Sequence, residues 1–341
     1  MECVVAVDVG GTTMKGGLVA RDGTILHFER RVTPRAEGAE RVIAAISAFV
    51  ADLARPRAGM RPLAVGLAVP GLVTPTHAVF ASAFGWRDVP ASAFTDVELP
   101  VALGHDVRSA GEAELAYGVG TEGVGTEGVS AGGVSAANVL FLPIGTGIAG
   151  AIVLSGSLYG GTRGWAGQIG HIPVRPDGLA CGCGQRGCLA AYASGGAIAA
   201  RYGAVTAGAA PALGGGAVTA GTARALGGGA VTAEEVVRRA SEGDARAVEV
   251  WDEAVEALAL ALATYTLLLD PERVVIGGGV SLAGDALLVP LRARLAARLA
   301  FRRPPEVLAS SLGIRAGLMG AGLLGWRAAG PAGAQVREPG S

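Results

Sequence analysis

The sequence lacks an excess of charge of either sign. Across 341 residues, Lys plus Arg total 28 and Asp plus Glu total 29, a formal net charge of −1. That balance gives no electrostatic reason to expect nucleic acid or an anionic membrane as partner, and it favours a small-molecule ligand. Long hydrophobic runs are missing too. The longest, Ala257 to Leu269, is flanked by acids and is too short to cross a bilayer. The opening MECVVAVDVG places Glu2 and Asp8 around a short apolar stretch, so it reads as neither signal peptide nor span, and a cytoplasmic location is expected. Neither a Walker A loop nor a G-x-G-x-x-G fingerprint is present, so those phosphate-binding mechanisms do not carry over.

Cysteine is scarce, at four residues, but it is concentrated. His171, Cys181, Cys183 and Cys188 fall in the stretch GWAGQIGHIPVRPDGLACGCGQRGC, Gly164 to Cys188. One imidazole nitrogen and three thiolates are the donor set of a closed tetrahedral structural zinc. A loop of reduced, unliganded cysteines is the plainer alternative. A disulfide is disfavoured, because a C-x-C pair rarely reaches bridging geometry. Cys3, in an apolar strand, reads as core.

Half of the residues are apolar, enough for two packed domains. Val4 to Val9 reads as a buried strand, GGTTMKGG as a glycine-rich turn, and Gly17 to Ala20 as a returning strand. Val42, Ile46, Phe49 and Leu53 recur at helical spacing, with Pro56 ending the helix. Leu63 to Val69 and Pro100 to Leu103 read as further strands. Trp251, Val255, Leu258, Leu262, Tyr265 and Leu269 mark a long helix stopped by Pro271. The strand Arg273 to Ile276 then meets three glycines, and helices follow over Ala283 to Leu299 and Gly313 to Trp326. VGTEG occurs twice between Val119 and Gly128, and copies opening with GAVTA begin at Gly203, Gly216 and Gly229. Both repeats read as surface insertions, since such Gly/Ala-rich copies cannot bury a stacked core.

The segment VVAVDVGGTTMKGGLVA from Val4 has an echo in VLFLPIGTGIAGAIVLS from Val139, and the two align without a gap. Two related halves, each offering a phosphate-binding hairpin, would produce this pattern. Glycines let backbone N–H groups approach phosphate oxygens, and the Thr12, Thr13 and Thr146 hydroxyls can donate as well. Asp8, at a strand end, is suited to hold a hydrated magnesium.

These residues resemble the ROK sugar kinases, a family with the actin-like ATPase fold. The resemblance spans nearly the whole chain and rests on DVGGTTMK at Asp8, VPGLV at Val69, GWRDVP at Gly85, GHD at Gly104, IGTGIAG at Ile144, GQIGH at Gly167, CGCGQRGC at Cys181 and VVIGGGVS at Val274. It implies two α/β domains (ribonuclease H-like), with the active site in the cleft between them. The smaller covers about 1–105 plus a C-terminal helix near 314–328; the larger covers 106–313, with zinc loop 171–188 and repeat insertion 203–232. It implies transfer of the γ-phosphate of ATP to the 6-hydroxyl of a hexose, with Mg2+ and a structural Zn2+, by a homodimer or homotetramer. Because the sequence begins at the first hairpin, an enzyme rather than a DNA-bound regulator is expected.

By that resemblance Asp106 is the catalytic carboxylate. ATP and its phosphates are assigned to Asp8, Gly10, Gly11, Thr12, Thr13, Lys15, Gly145, Thr146, Gly147, Gly277, Gly278 and Gly279. The sugar is assigned to Gly71, His105, Asp106, Gln168 and His171. The sugar shell departs from the family at Ala83, His105, Arg108, Gln168 and Ala190, where asparagines or glutamates are usual. Losing such groups should cost about 1 to 3 kcal/mol each with the usual sugar. An amino or acylamino hexose of the glucosamine, N-acetylglucosamine or kanosamine type is therefore expected ahead of glucose. A catalytically weak sugar-binding sensor is the alternative.

Overall fold

The computed structural model describes residues 1–57, 59–81, 84–118, 138–206 and 231–330. Ala83, the VGTEG repeat and most of the GAVTA repeat lie outside them. The chain divides into two compact units, one of residues 1–117 with the stretch from Arg315, the other Gly118–Ile314.

The first unit is built on β1 (Glu2–Val9), β2 (Thr13–Val19), β3 (Ile25–Val32), β4 (Arg61–Val69) and β8 (Val101–His105), in the order β3-β2-β1-β4-β8. β1 pairs antiparallel with β2 and parallel with β4, which pairs parallel with β8. Alternation along the strands decides what each face receives. Val5, Val7 and Val9 of β1, with Val65 and Leu67 of β4, pack on Val42, Ile46, Phe49 and Leu53 of α1 (Ala39–Ala54). Val4, Ala6, Ala64 and Ala68 face Leu318, Ala321 and Leu324 of α8 (Ala316–Ala328). This second contact is close: a Cβ on Gly66 would run into the Ala321 carbonyl. A small sheet of β5 (Leu72–Val73), β6 (His77–Ala81) and β7 (Trp86–Pro90) completes the unit.

Two sequence expectations shift here. β2 begins at Thr13, not Gly17, because Gly10 N–H donates to the Thr13 carbonyl at 3.1 Å and closes the turn early. Lys15 is therefore a strand residue opposite Asp8. The boundary expected after residue 105 moves to 117. Helix α2 (Asp106–Tyr117) packs on α8, where Gly320 leaves no room for a Cβ against the Ser109 carbonyl, and Arg327 pairs with Glu112 at 2.7 Å.

The second unit repeats the sheet. Its strands β9 (Val139–Pro143), β10 (Ala151–Leu154), β11 (Ser157–Tyr159), β12 (Arg273–Gly277) and β13 (Glu306–Ala309) run in the order β11-β10-β9-β12-β13, with the same antiparallel and parallel pairings. The hairpins echo one another in topology but not in register. The gapless alignment matches the pair Val4 and Val19 to Val139 and Leu154, whereas Val139 pairs with Val153. The first turn spans 10–13, between Val9 and Met14, and the second only 145–147, between Ile144 and Ile148. A turn one residue shorter moves the returning strand by one position.

Helices α3 (Ala190–Ala193), α4 (Gly195–Thr206), α5 (Ala233–Ser241), α6 (Ala245–Leu269) and α7 (Asp285–Arg298) belong to this unit. The Asp244 carboxylate caps α6 by accepting from Arg246 N–H and Ala247 N–H at 3.0 Å each, and Asp270 ends it in the left-handed conformation. Its Val255, Leu258 and Leu262 lie in one core with Leu140, Leu142 and Ile276 of the sheet. Among the described residues no helix is long and apolar enough to cross a membrane.

Candidate active site

In the first unit the parallel strands β1, β4 and β8 deliver their carboxyl ends to one edge, the usual location of ligands in α/β sheets. Asp8 stands at the end of β1, Gly71 follows β4, and His105 with Asp106 ends β8. Asp8 lies on the α8 face and is buried, and its carboxylate fills the space that a Cβ on Gly317 would need. Lys15 Nζ donates to Asp8 Oδ2 at 3.0 Å. Burial pushes the Asp8 carboxyl above the ordinary carboxylate range; Lys15 opposes that rise and the charge of Asp106 adds to it. The two carboxylates therefore share one electrostatic environment.

Asp106 opens α2, and its Oδ1 accepts from Val107 N–H at 2.7 Å. Its side chain is 25 % exposed, accessible enough to meet a substrate. Gly71 is required by the backbone, with φ of +104° and the Phe80 carbonyl against its α-carbon. The turn 10–13 is braced by Thr33, a residue with no sequence signal: its hydroxyl donates to the Gly10 carbonyl at 2.7 Å and its N–H to the Thr12 carbonyl at 3.0 Å.

The second unit joins the turn 145–147 to the glycines after β12. Ile144 N–H donates to the Gly277 carbonyl at 2.9 Å, and Val280 N–H to the Ile144 carbonyl at 3.1 Å. Gly195 N–H, in the first turn of α4, donates to the Gly145 carbonyl at 2.8 Å, and Ser194 Oγ accepts from Ala197 N–H at 3.1 Å. The positive end of α4 therefore abuts this turn. Ser194-Gly-Gly ahead of a helix was the legible N-cap signal for this feature.

The candidate phosphate glycines divide into two kinds. A Cβ on Gly10 would crowd the Thr13 carbonyl at 2.8 Å, one on Gly277 the Phe141 ring at 3.0 Å, and one on Gly278 the Ile144 carbonyl at 2.5 Å. Those three serve packing. Gly11, Gly145, Gly147 and Gly279 have no atom within 4 Å of such a Cβ, and none has a left-handed φ. Neither fold nor backbone requires them, and their bareness leaves backbone open to a ligand.

The cysteine loop folds as a knot of short turns. Leu189 N–H donates to the Ile172 carbonyl at 2.9 Å, Val174 N–H to the Gly187 carbonyl at 2.8 Å, and Cys181 N–H to the Gln185 carbonyl at 2.8 Å. Gly187, at φ +73°, lies so close to the Arg175 carbonyl that no side chain fits. Arg175 and Arg201 both pair with Glu253 of α6, and both guanidinium groups sit over the Tyr192 ring, so the loop is anchored to the core.

This folding gathers His171 Nδ1 and the Sγ atoms of Cys181, Cys183 and Cys188 within 4.8 Å of one another. Cys183 and Cys188 Sγ are 3.7 Å apart, as are Cys181 Sγ and His171 Nδ1, and no disulfide forms. Tetrahedral zinc, with bonds of about 2.3 Å to sulfur and about 2.0 Å to nitrogen, separates its ligand atoms by roughly 3.5 to 3.8 Å. The donors fit that ion. Burial holds the His171 pKa down, favouring the neutral ring that binds metal, whereas burial and the neighbouring thiols push Cys188 up to about 12. Gln168 sits on the same loop, its carbonyl accepting from His171 N–H at 3.0 Å, and Ala190 opens α3 just beyond Cys188.

A model of the ROK family matches residues 4–327. The chain belongs to the ROK family. A glucokinase of Streptomyces coelicolor is 33% identical over 94% of this chain and 96% of its own length. An N-acetylmannosamine kinase of Yersinia pseudotuberculosis is 30% identical over 82% of this chain and 83% of its own. The crystal structure of a ROK glucokinase from Streptomyces griseus in complex with glucose and AMPPNP superposes with a TM-score of 0.76 at 32% identity, covering 95% of this chain and 99% of that one. The repeated five-stranded sheets of this ROK protein are the actin-like ATPase fold that its sequence implied.

Proposed function

We propose that this ROK protein transfers the γ-phosphate of ATP to the 6-hydroxyl of a hexose, with an amino or acylamino hexose as preferred acceptor. The observation that carries the reading is the set of bare glycines at Gly11, Gly145, Gly147 and Gly279, which nothing in the protein's own packing explains. The N–H groups of Gly11, Gly147 and Gly279, with the Thr12, Thr13 and Thr146 hydroxyls and the first turn of α4, are suited to phosphate oxygens, while Gly145 N–H closes its turn on the Gly147 carbonyl at 3.0 Å. Gly10, Gly277 and Gly278 shape the turns, while Lys15 and Asp8 complete the assigned phosphate set.

Magnesium, when bound, would neutralise phosphate charge; a single carboxylate plus substrate phosphates is its usual ligation, and Asp8 is the residue suited to hold it, directly or through water. Asp106 accepts the proton of the sugar hydroxyl as that oxygen bonds to the γ-phosphorus and the bond to the bridging oxygen of ADP breaks. By the family resemblance, Gly71, His105, Gln168 and His171 are the residues that meet the sugar. His171, Cys181, Cys183 and Cys188 would hold a structural zinc, which would tie down the loop that carries Gln168. Assembly as a homodimer or homotetramer belongs to the same reading.

The test is ATP consumption against glucose, N-acetylmannosamine, glucosamine, N-acetylglucosamine and 3-amino-3-deoxyglucose, run beside Asp106→Asn. Turnover on an amino or acylamino hexose, lowered about 10²-fold or more in the variant, is expected. Equal turnover of wild type and variant refutes the assignment of Asp106, and sugar binding without turnover on any hexose supports the sensor.

A further inference from the structure

His105 ends β8 and occupies the N-cap of α2. Its Nδ1 lies 3.2 Å from Val107 N and 3.4 Å from Arg108 N. Both are backbone N–H groups of the helix's first turn, which can only donate. A ring nitrogen that receives both N–H groups must be unprotonated, which requires the tautomer with its hydrogen on Nε2. Asp106 Oδ1 is 3.2 Å from the same Nδ1 and accepts from the same Val107 N–H. In that tautomer nitrogen and carboxylate are two acceptors sharing one donor; with the ring protonated the same contact is an ion pair.

We propose that His105 is a positioning residue with a pH response: its unprotonated Nδ1 holds the first turn of α2 and the Asp106 carboxylate, and its protonation withdraws Asp106 from the substrate. The inference rests on Asp106 being the base of the reading above. A proton on Nδ1 would face Val107 N–H and Arg108 N–H donor to donor, and both cap bonds would be lost. The same proton would point at Asp106 Oδ1, making an imidazolium–carboxylate pair of a group that must accept the sugar's proton. With its side chain 11 % exposed, the ring is sheltered from bulk water but open to protons.

The charged surroundings are simple. On α2 they are Asp106 and Arg108; beyond Asp106 lies Asp8 of β1, with Lys15 of β2 paired to it. Arg61 lies at the far end of neighbouring β4, β5 carries no charge, and Arg327 of α8 pairs with Glu112. An imidazolium formed here therefore has one carboxylate in contact and a second behind it.

The test is the pH dependence of kcat for the full-length protein with its best hexose and ATP, in wild type, His105→Asn and His105→Ala. Wild-type kcat should fall as the pH is lowered through the protonation of histidine. The Asn amide oxygen accepts the same N–H groups without titrating, so His105→Asn should lose that limb, whatever plateau it reaches. His105→Ala should be slower at every pH, with Asn restoring part of the loss. Nitrogen NMR of 15N-histidine-labelled protein supplies a readout besides turnover: the signal missing from His105→Asn should show the Nε2–H tautomer at pH 8 and a doubly protonated ring in acid. An acid limb unchanged in His105→Asn, or an Nδ1–H tautomer at pH 8, overturns the proposal. Wild-type turnover in Asp106→Asn instead removes the base assignment and leaves the tautomer result standing, so the two failures are distinguishable.

Discussion

Replacing Gly11 or Gly145 by alanine separates folding from ligand binding. Neither new Cβ would meet an atom within 4 Å, and neither residue has a left-handed φ, so the native state gains no strain. The unfolded chain loses backbone freedom, and such a change stabilises by about 0.4–1 kcal/mol. At about 2–4 °C per kcal/mol for a domain of this size, calorimetry should find Tm unchanged or raised by a few degrees. Phosphate binding should move the other way. A methyl over the turn blocks one charge-assisted N–H bond, about 1.5–3 kcal/mol, or roughly 10- to 150-fold in KM for ATP. The variants should thus be slightly more stable and much poorer at using ATP. Wild-type KM for ATP in both would refute the phosphate role of the turns, and a fall in Tm without ligand would refute the packing argument.

Gly317→Ala should do the opposite to stability. Alanine favours a helix over glycine by up to about 1 kcal/mol, but here its Cβ would lie 2.5 Å from the Asp8 carboxyl carbon. Overpacking of this kind costs about 1–3 kcal/mol and displaces Asp8 from Lys15, so Tm should fall; a variant as stable as wild type would show that Asp8 is not held against α8. Removing zinc with a chelator at pH 8 should lower Tm, and the difference should shrink towards pH 6. A raised thiol pKa favours the protonated, metal-free loop, and with Cys188 at about 12 zinc must displace its proton, so affinity falls about tenfold per pH unit lowered for each proton displaced. Absence of zinc in the purified protein, or a Tm difference indifferent to pH, would exclude the site.

The patterns visible in the sequence were those carried by one element at a time. Val42, Ile46, Phe49 and Leu53 repeat at helical spacing and do bury one face of α1. The long α6 ends beside Pro271 because proline cannot continue a helix, and the apolar strand before the three glycines is β12. The metal loop was legible because its donor types and glycines are local. Strand β3 was missed, since its alternating exposed residues carry little apolar signal. Helix α2 was missed for a similar reason: Ser109, Gly111 and Glu114 are buried by α8 rather than by an apolar stripe of their own.

Sequence alone determined the donor set of His171, Cys181, Cys183 and Cys188, the two glycine turns and the duplication, because chemical identity and short-range order are written in the chain. Only the tertiary structure decided which glycines serve packing and which are bare, that the second hairpin closes one residue sooner, and that Asp8 lies against Gly317, about 300 residues away along the chain. It also showed that His105, expected in the sugar shell, meets the first N–H groups of the helix that opens at Asp106. Such roles depend on which neighbour supplies a donor or occupies a volume, and those neighbours come from strands and helices brought together only by folding.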